Sequence, residues 1–152
     1  MRADNRRRSV VARILALDLG SKRIGLAVSD ELGLTAQGLP TLERRNKRLD
    51  LEALAGVAGR HGASLILVGN PRHMSGAEGR QSGQARALAE ALARRTKLEV
   101  KLWDERLTTA EASRVLRASG IGIGKRGAAI DRLSAVILLQ SYLDAQPGQA
   151  RP

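Results

Sequence analysis

Apolar and polar positions divide the chain into three early strands, followed by alternating helices and strands. Val10 to Asp18 (VVARILALD) is β-branched and apolar and ends just before Gly20, the mark of a buried strand. Lys22 to Ser29 alternates, which predicts a second strand. Leu19-Gly20-Ser21 between them predicts a tight hairpin turn in which Gly20 takes a positive φ. Leu34 to Leu42 predicts a third strand, interrupted by Gly38 and Pro40. The short links favour an antiparallel meander. After the basic segment Arg44-Arg45-Asn46-Lys47-Arg48, apolar residues at Leu51, Leu54, Ala55 and Ala58 predict a helix from Leu49 to His61, stopped by Gly62. Ser64 to Gly69 is a continuous apolar run, which suits a central parallel strand. Asn70 to Gly83 reads as a loop, Ala85 to Arg95 as a helix and Leu98 to Trp103 as a strand. Thr108-Thr109-Ala110-Glu111 is a capping-box pattern that opens a helix reaching Ser119, where Gly120 stops it. Gly120 to Gly127 reads as a flexible basic loop, and Ile130 to Leu143 as the last helix.

The resulting order, β-β-β-α-β-α-β-α-α, predicts an α/β fold: a mixed five-stranded sheet with helices packed on both faces. Residues 1–9 are expected to form a disordered basic arm, 10–145 one folded domain and 146–152 a flexible tail. A length of 152 residues fits one domain.

Charge narrows the function. Lys and Arg number 26 against 15 Asp and Glu, a formal net charge of +11. That excess favours a polyanionic partner, because basic side chains displace the counterions condensed on a phosphate backbone. Cysteine is absent and histidine occurs twice, so thiolate zinc sites and His-rich clusters are excluded. A metal would sit on carboxylates and water, which suits Mg²⁺ or Mn²⁺. With no Phe, one Trp and one Tyr, the chain lacks the stacking platform of sequence-specific single-strand readers. Recognition by shape and backbone is the expectation. No apolar run approaches the ~20 residues of a membrane helix, so no membrane partner and a cytoplasmic location are expected.

Three carboxylates lie at element ends. Asp18 closes the first strand beside Leu19-Gly20, Asp104 and Glu105 follow the Leu98–Trp103 strand, and Asp131 opens the last helix. Each has an ordinary explanation taken alone: a turn Asp, a surface ion pair with Arg106, and a helix N-terminal acid worth roughly 0.3–1 kcal/mol. Together they repel one another, and divalent cations would offset that repulsion. Two such ions about 3.5–4 Å apart would clamp a phosphodiester, one activating water and the other stabilising the leaving oxygen. Adjacent strand residues point to opposite faces, so only one of Asp104 and Glu105 is expected to share a site with Asp18; alternation alone does not say which.

Four motifs then occur in order: Asp18-Leu-Gly-Ser-Lys-Arg-Ile-Gly25; Val68-Gly69 with Pro71 and Met74-Ser75-Gly76; Asp104-Glu-Arg-Leu-Thr-Thr109; and Ile130-Asp131 with Ser134-Ala135 and Leu138 to Leu143. Together they resemble the YqgF/RuvX family of pre-16S rRNA nucleases and Holliday junction resolvase-like proteins, over residues 12 to 144. The resemblance implies an RNase H-like fold and a metal-dependent endonuclease acting on structured RNA or branched DNA. It implies Asp18, Glu105 and Asp131 as catalytic carboxylates and metal ligands, and so selects Glu105 over Asp104. The central loop departs from the family pattern. Arg72 and His73 stand where Leu and Asn are usual, and Ser75 replaces an acid.

Lys22, Arg23, Arg72, Arg80, Arg106, Lys125 and Arg126 are the candidate phosphate contacts. Junction cutting needs two symmetric nicks, which would require a homodimer. Gly122 to Gly127 fits GxGxxG but follows a helix rather than a strand, so no nucleotide cofactor site is expected. His73 is a weak general acid or base candidate. Two rival readings remain: a nucleic-acid-binding module without catalysis, and a single lobe of an actin- or Hsp70-like ATPase, suggested by the Asp18-Leu-Gly-Ser turn.

Overall fold

A computed structural model describes residues 13–70, 80–104 and 126–146. Its strands are β1 (Arg13–Leu19), β2 (Arg23–Ser29), β3 (Ala36–Glu43), β4 (Ala63–Asn70) and β5 (Glu99–Asp104). Its helices are α1 (Lys47–Arg60), α2 (Arg80–Thr96) and α3 (Arg126–Ala145). The strands form one five-stranded sheet in the order β3-β2-β1-β4-β5. β1 to β3 are antiparallel neighbours, whereas β4 pairs in parallel with both β1 and β5. The mixed sheet predicted from the patterning is therefore present.

Alternation along the strands builds two cores. Leu15 and Leu17 of β1, with Ile66 and Val68 of β4, pack with Leu54 of α1 and Leu92 of α2. Ala16 and Leu67, on the other face, pack with Leu138, Leu139 and Tyr142 of α3. The face towards α3 carries the small residues Ala16 and Ala27, which lets that helix lie close to the sheet.

Helix α1 is fixed at its start by two local bonds. The Asn46 side chain accepts from Leu49 N at 2.9 Å, an N-cap, and Asp50 Oδ1 accepts from Arg45 N at 2.9 Å.

Three expectations need correction. Helix α2 begins at Arg80, so the expected loop does not extend to Gly83. A glycine inside a helix costs only about 1 kcal/mol relative to Ala, less than the burial of Ala85 and Leu92 returns. Helix α3 begins at Arg126, not Ile130, because Ala128 and Ala129 are strong helix formers and Gly127 sits in the first turn. Gly20 does not adopt positive φ; among the described glycines only Gly33 and Gly62 do. The hairpin instead closes through Gly20 N donating to Arg23 O at 2.9 Å.

The arm at residues 1–9, the tail beyond Gln146, the helix expected at 108–119, and the candidate residues Arg72, His73, Glu105, Arg106 and Lys125 lie outside the described residues. Among the described residues, no helix is long and apolar enough to cross a membrane.

Candidate active site

Parallel strands β1, β4 and β5 end at one edge of the sheet. Ligands of α/β sheets commonly bind at such carboxyl ends. Asp18 stands at that end of β1 and is buried, 6% exposed. It shares the parity of Ala16 and therefore the face covered by α3. Across the hairpin it is paired with Gly25.

Gly25 admits α3. A Cβ built there would lie 1.9 Å from the Asp131 carbonyl oxygen and 2.5 Å from its carbon, so only a residue without a side chain fits. A Cβ on Gly20 would lie 3.2 and 3.4 Å from the two Asp131 carboxylate oxygens. The carboxylate of Asp131 thus lies over the turn that begins two residues after Asp18. Asp131 sits against the same β1–β2 hairpin that carries Asp18 at the end of β1, although the two stand 113 positions (131 − 18) apart in the chain.

Arg23, the first residue of β2, donates from Nε to Asp131 Oδ2 at 3.3 Å. Burial raises the Asp131 pKa, and the charge and hydrogen bond of Arg23 oppose that rise without cancelling it. Among the described residues, the one cation paired with this carboxylate does not offset the cost of burying its charge. Hard oxygen donors in that condition suit a divalent cation such as Mg²⁺ or Mn²⁺. Among the described residues, no three acidic or histidine side chains group closely enough to hold a metal, and Glu105 is not one of those residues.

The basic candidates separate. Arg23 is engaged with Asp131. Lys22 is exposed in the turn. Arg80 and Arg126 each open a helix. A residue not singled out from the sequence, Arg44, holds the turn from the other side. Its Nη1 donates to Gly20 O at 2.6 Å, and its main-chain N donates to Lys22 O at 2.9 Å. The basic run after β3 was visible in the sequence, but nothing in its spacing tells a latch from a solvated charge.

Known proteins resemble this chain over most of its length. The family model RuvX, described as a Holliday junction resolvase, matches residues 12–145. A protein of Koribacter versatilis provisionally named pre-16S rRNA nuclease is 54% identical over 136 residues, covering 90% of this chain and 89% of that protein. A Myxococcus xanthus protein of the same provisional name is 44% identical over 133 residues, covering 88% of each. Among solved structures, Thermus thermophilus RuvC in complex with a Holliday junction substrate superposes with a TM-score of 0.53 at 18% identity, covering 91% of this chain and 97% of that one. Fowlpox virus resolvase with Holliday junction DNA gives 0.56 at 13% identity, covering 88% and 97%. At those identities the structures establish a shared RNase H-like fold.

Proposed function

The chain belongs to the RuvX family, and from that premise we propose that it is an endonuclease that hydrolyses phosphodiester bonds in structured nucleic acid, with precursor 16S rRNA as its substrate. The observation that carries the reading is the seating of Asp131 on Gly25, the β2 partner of Asp18, with its carboxylate over Gly20. Glu105 is the third carboxylate of this proposal. Its choice over Asp104 rests on the family motif Asp104-Glu-Arg-Leu-Thr-Thr109.

Asp18, Glu105 and Asp131 would hold Mg²⁺ or Mn²⁺ between them. Bound there, the metal supplies a water activated at neutral pH and positive charge at the leaving oxygen. The chain's own contribution is positional. Asp18 is held rigid by burial in β1, Asp131 by the seating of its main chain on Gly25, and the Asp131 carboxylate by Arg23. Gly20 leaves the hairpin turn under that carboxylate without a side chain, so a phosphate can approach closely.

The relatives at 54% and 44% identity carry the rRNA name and favour RNA, whereas the family description and the junction-bound structures, which share only the fold, name a DNA junction, the second substrate to test. Processing of an rRNA precursor would place the protein in the cytoplasm. It needs no second active site, whereas resolving a junction requires a two-fold dimer.

The test is cleavage of a folded 16S precursor fragment and of a four-way DNA junction, with Mg²⁺ or Mn²⁺, by the wild type and by Asp18→Asn, Glu105→Gln and Asp131→Asn. Loss of cleavage in all three variants with nucleic-acid binding retained supports the reading. Cleavage at wild-type rate by Asp18→Asn sinks it.

A further inference from the structure

On the opposite face of the same hairpin turn lies a cavity of about 1090 Å³ that the carboxylate site does not use. Leu19, Gly20 and Ser21 form its wall next to Asp18, and the β3–α1 connection and α2 form the rest. Five basic residues line it, Lys22, Arg44, Arg45, Lys47 and Arg94, against the three acids Glu43, Asp50 and Glu90. The acids do not neutralise the cations evenly. Asp50 is buried and accepts from the main-chain N of Arg45. Arg44 is committed to Gly20 O. Lys22, Arg45, Lys47 and Arg94 are exposed, and among the described residues none of the four makes an ion pair.

These cations are contributed by three parts of the chain: the β1–β2 turn, the β3–α1 connection and the end of α2. The connection is locked onto the turn by Arg44 and onto its own helix by Asn46 and Asp50. The groove therefore keeps a fixed position relative to Asp18, with the wall at Gly20 common to both. Four exposed cations spread over three parts of the chain around one groove suit a linear polyanion better than a compact anion, which would satisfy one or two of them.

We propose that this groove binds a second stretch of phosphodiester backbone, the strand or arm of the structured nucleic acid that is not being cut. The proposal rests on the nuclease reading of the neighbouring site. It adds a substrate-positioning surface made of Lys22, Arg45, Lys47 and Arg94.

Binding without turnover tests it. In an Asp18→Asn background with EDTA, a folded 16S precursor fragment is titrated at several salt concentrations, and a four-way DNA junction serves as a parallel probe. The groove variant carries Lys22→Gln, Arg45→Gln, Lys47→Gln and Arg94→Gln. A control variant carries Arg60→Gln and Lys97→Gln, two exposed charges outside the groove lining. Each lost phosphate contact lowers the slope of log K against log salt by about 0.7–0.9, so the groove variant should lose about three in slope and about 100-fold in affinity near 0.15 M salt. The control should change little. Thermal unfolding confirms that both variants fold.

Equal affinity and slope for groove variant and parent overturn the proposal, and so does an equal loss in the control. Asp18-dependent cleavage that is indifferent to the groove variant would leave the nuclease standing and remove the groove. Groove-dependent binding by a protein that never cleaves would do the reverse.

Discussion

Arg23 and Asp131 stand 108 positions apart in the chain and meet through a single hydrogen bond, Nε to Oδ2 at 3.3 Å. That bond joins the first residue of β2 to the first turns of α3. Both side chains are about three-quarters buried or more, so solvent screens the pair only in part. Arg23→Gln is expected to lower stability by about 1 kcal/mol in metal-free protein. Urea unfolding in EDTA measures it. Cleavage by the same variant should fall at least tenfold at saturating Mg²⁺, because a misaimed Asp131 carboxylate costs transition-state stabilisation. Unchanged cleavage would show that Arg23 has no positioning role.

Gly25→Ala should be the more damaging of two small changes at the helix–sheet contact. Its Cβ would collide with the main chain of Asp131, which can yield only if α3 moves. About 3 kcal/mol of destabilisation is expected, the upper part of the range for overpacking. Gly38→Ala meets the side-chain stem of Arg132 at 2.8 Å instead, which can move only by giving up the bond from its Nε to Leu39 O, so its cost should be about 1 kcal/mol, below that of Gly25→Ala. Denaturant midpoints for the two variants, compared side by side, decide the order.

The sheet and the two acids were legible in the sequence for different reasons. β1 and β4 are legible as apolar runs because both faces of each are buried, and β2 is legible by its alternation. Asp18 stood out because a carboxylate interrupts an apolar run at its end. The starts of α2 and α3 were misread because Gly83 and Gly127 look like loop residues, and only tertiary packing reveals how cheaply a helix carries them. A local window assigns Gly20 to a positive-φ turn, whereas its role is clearance: the crowding comes from Arg23 O and from Asp131, a residue no local window contains. Arg44 was invisible for the same reason, since its acceptor is a carbonyl on another strand connection.

Asp30 gives a pH-dependent contribution whose sign is fixed by its surroundings. Slight burial raises its pKa, but bonds to its carboxylate from the main-chain N of Leu34 and Thr35 outweigh that, and the net shift is downward from 3.8. A depressed acid stabilises the fold fully above its unfolded pKa and loses the contribution as pH falls through the folded value. The Tm difference between wild type and Asp30→Asn should therefore be constant from pH 5 to 7, by about one unit of margin over the unfolded value, and shrink below 3.8. A difference that grows on acidification would contradict the assignment.

Lys97 holds φ at 64° just after α2, the left-handed region that favours glycine. Lys97→Gly should raise stability by about 1 kcal/mol, because a side chain in that region is strained by roughly that amount. A calorimetric Tm a few degrees above wild type is the expected result.

The chain contains a single tryptophan. Trp103 meets Tyr142 of α3 edge to face, with centroids 4.9 Å apart, and donates from its indole to Ser141 Oγ at 2.9 Å. Its fluorescence is thus an intrinsic, label-free gauge of how β5 sits against the helix that bears Asp131. Emission maxima and quenching recorded during cation or substrate titrations would follow that seating in unmodified protein, in real time and at micromolar concentration.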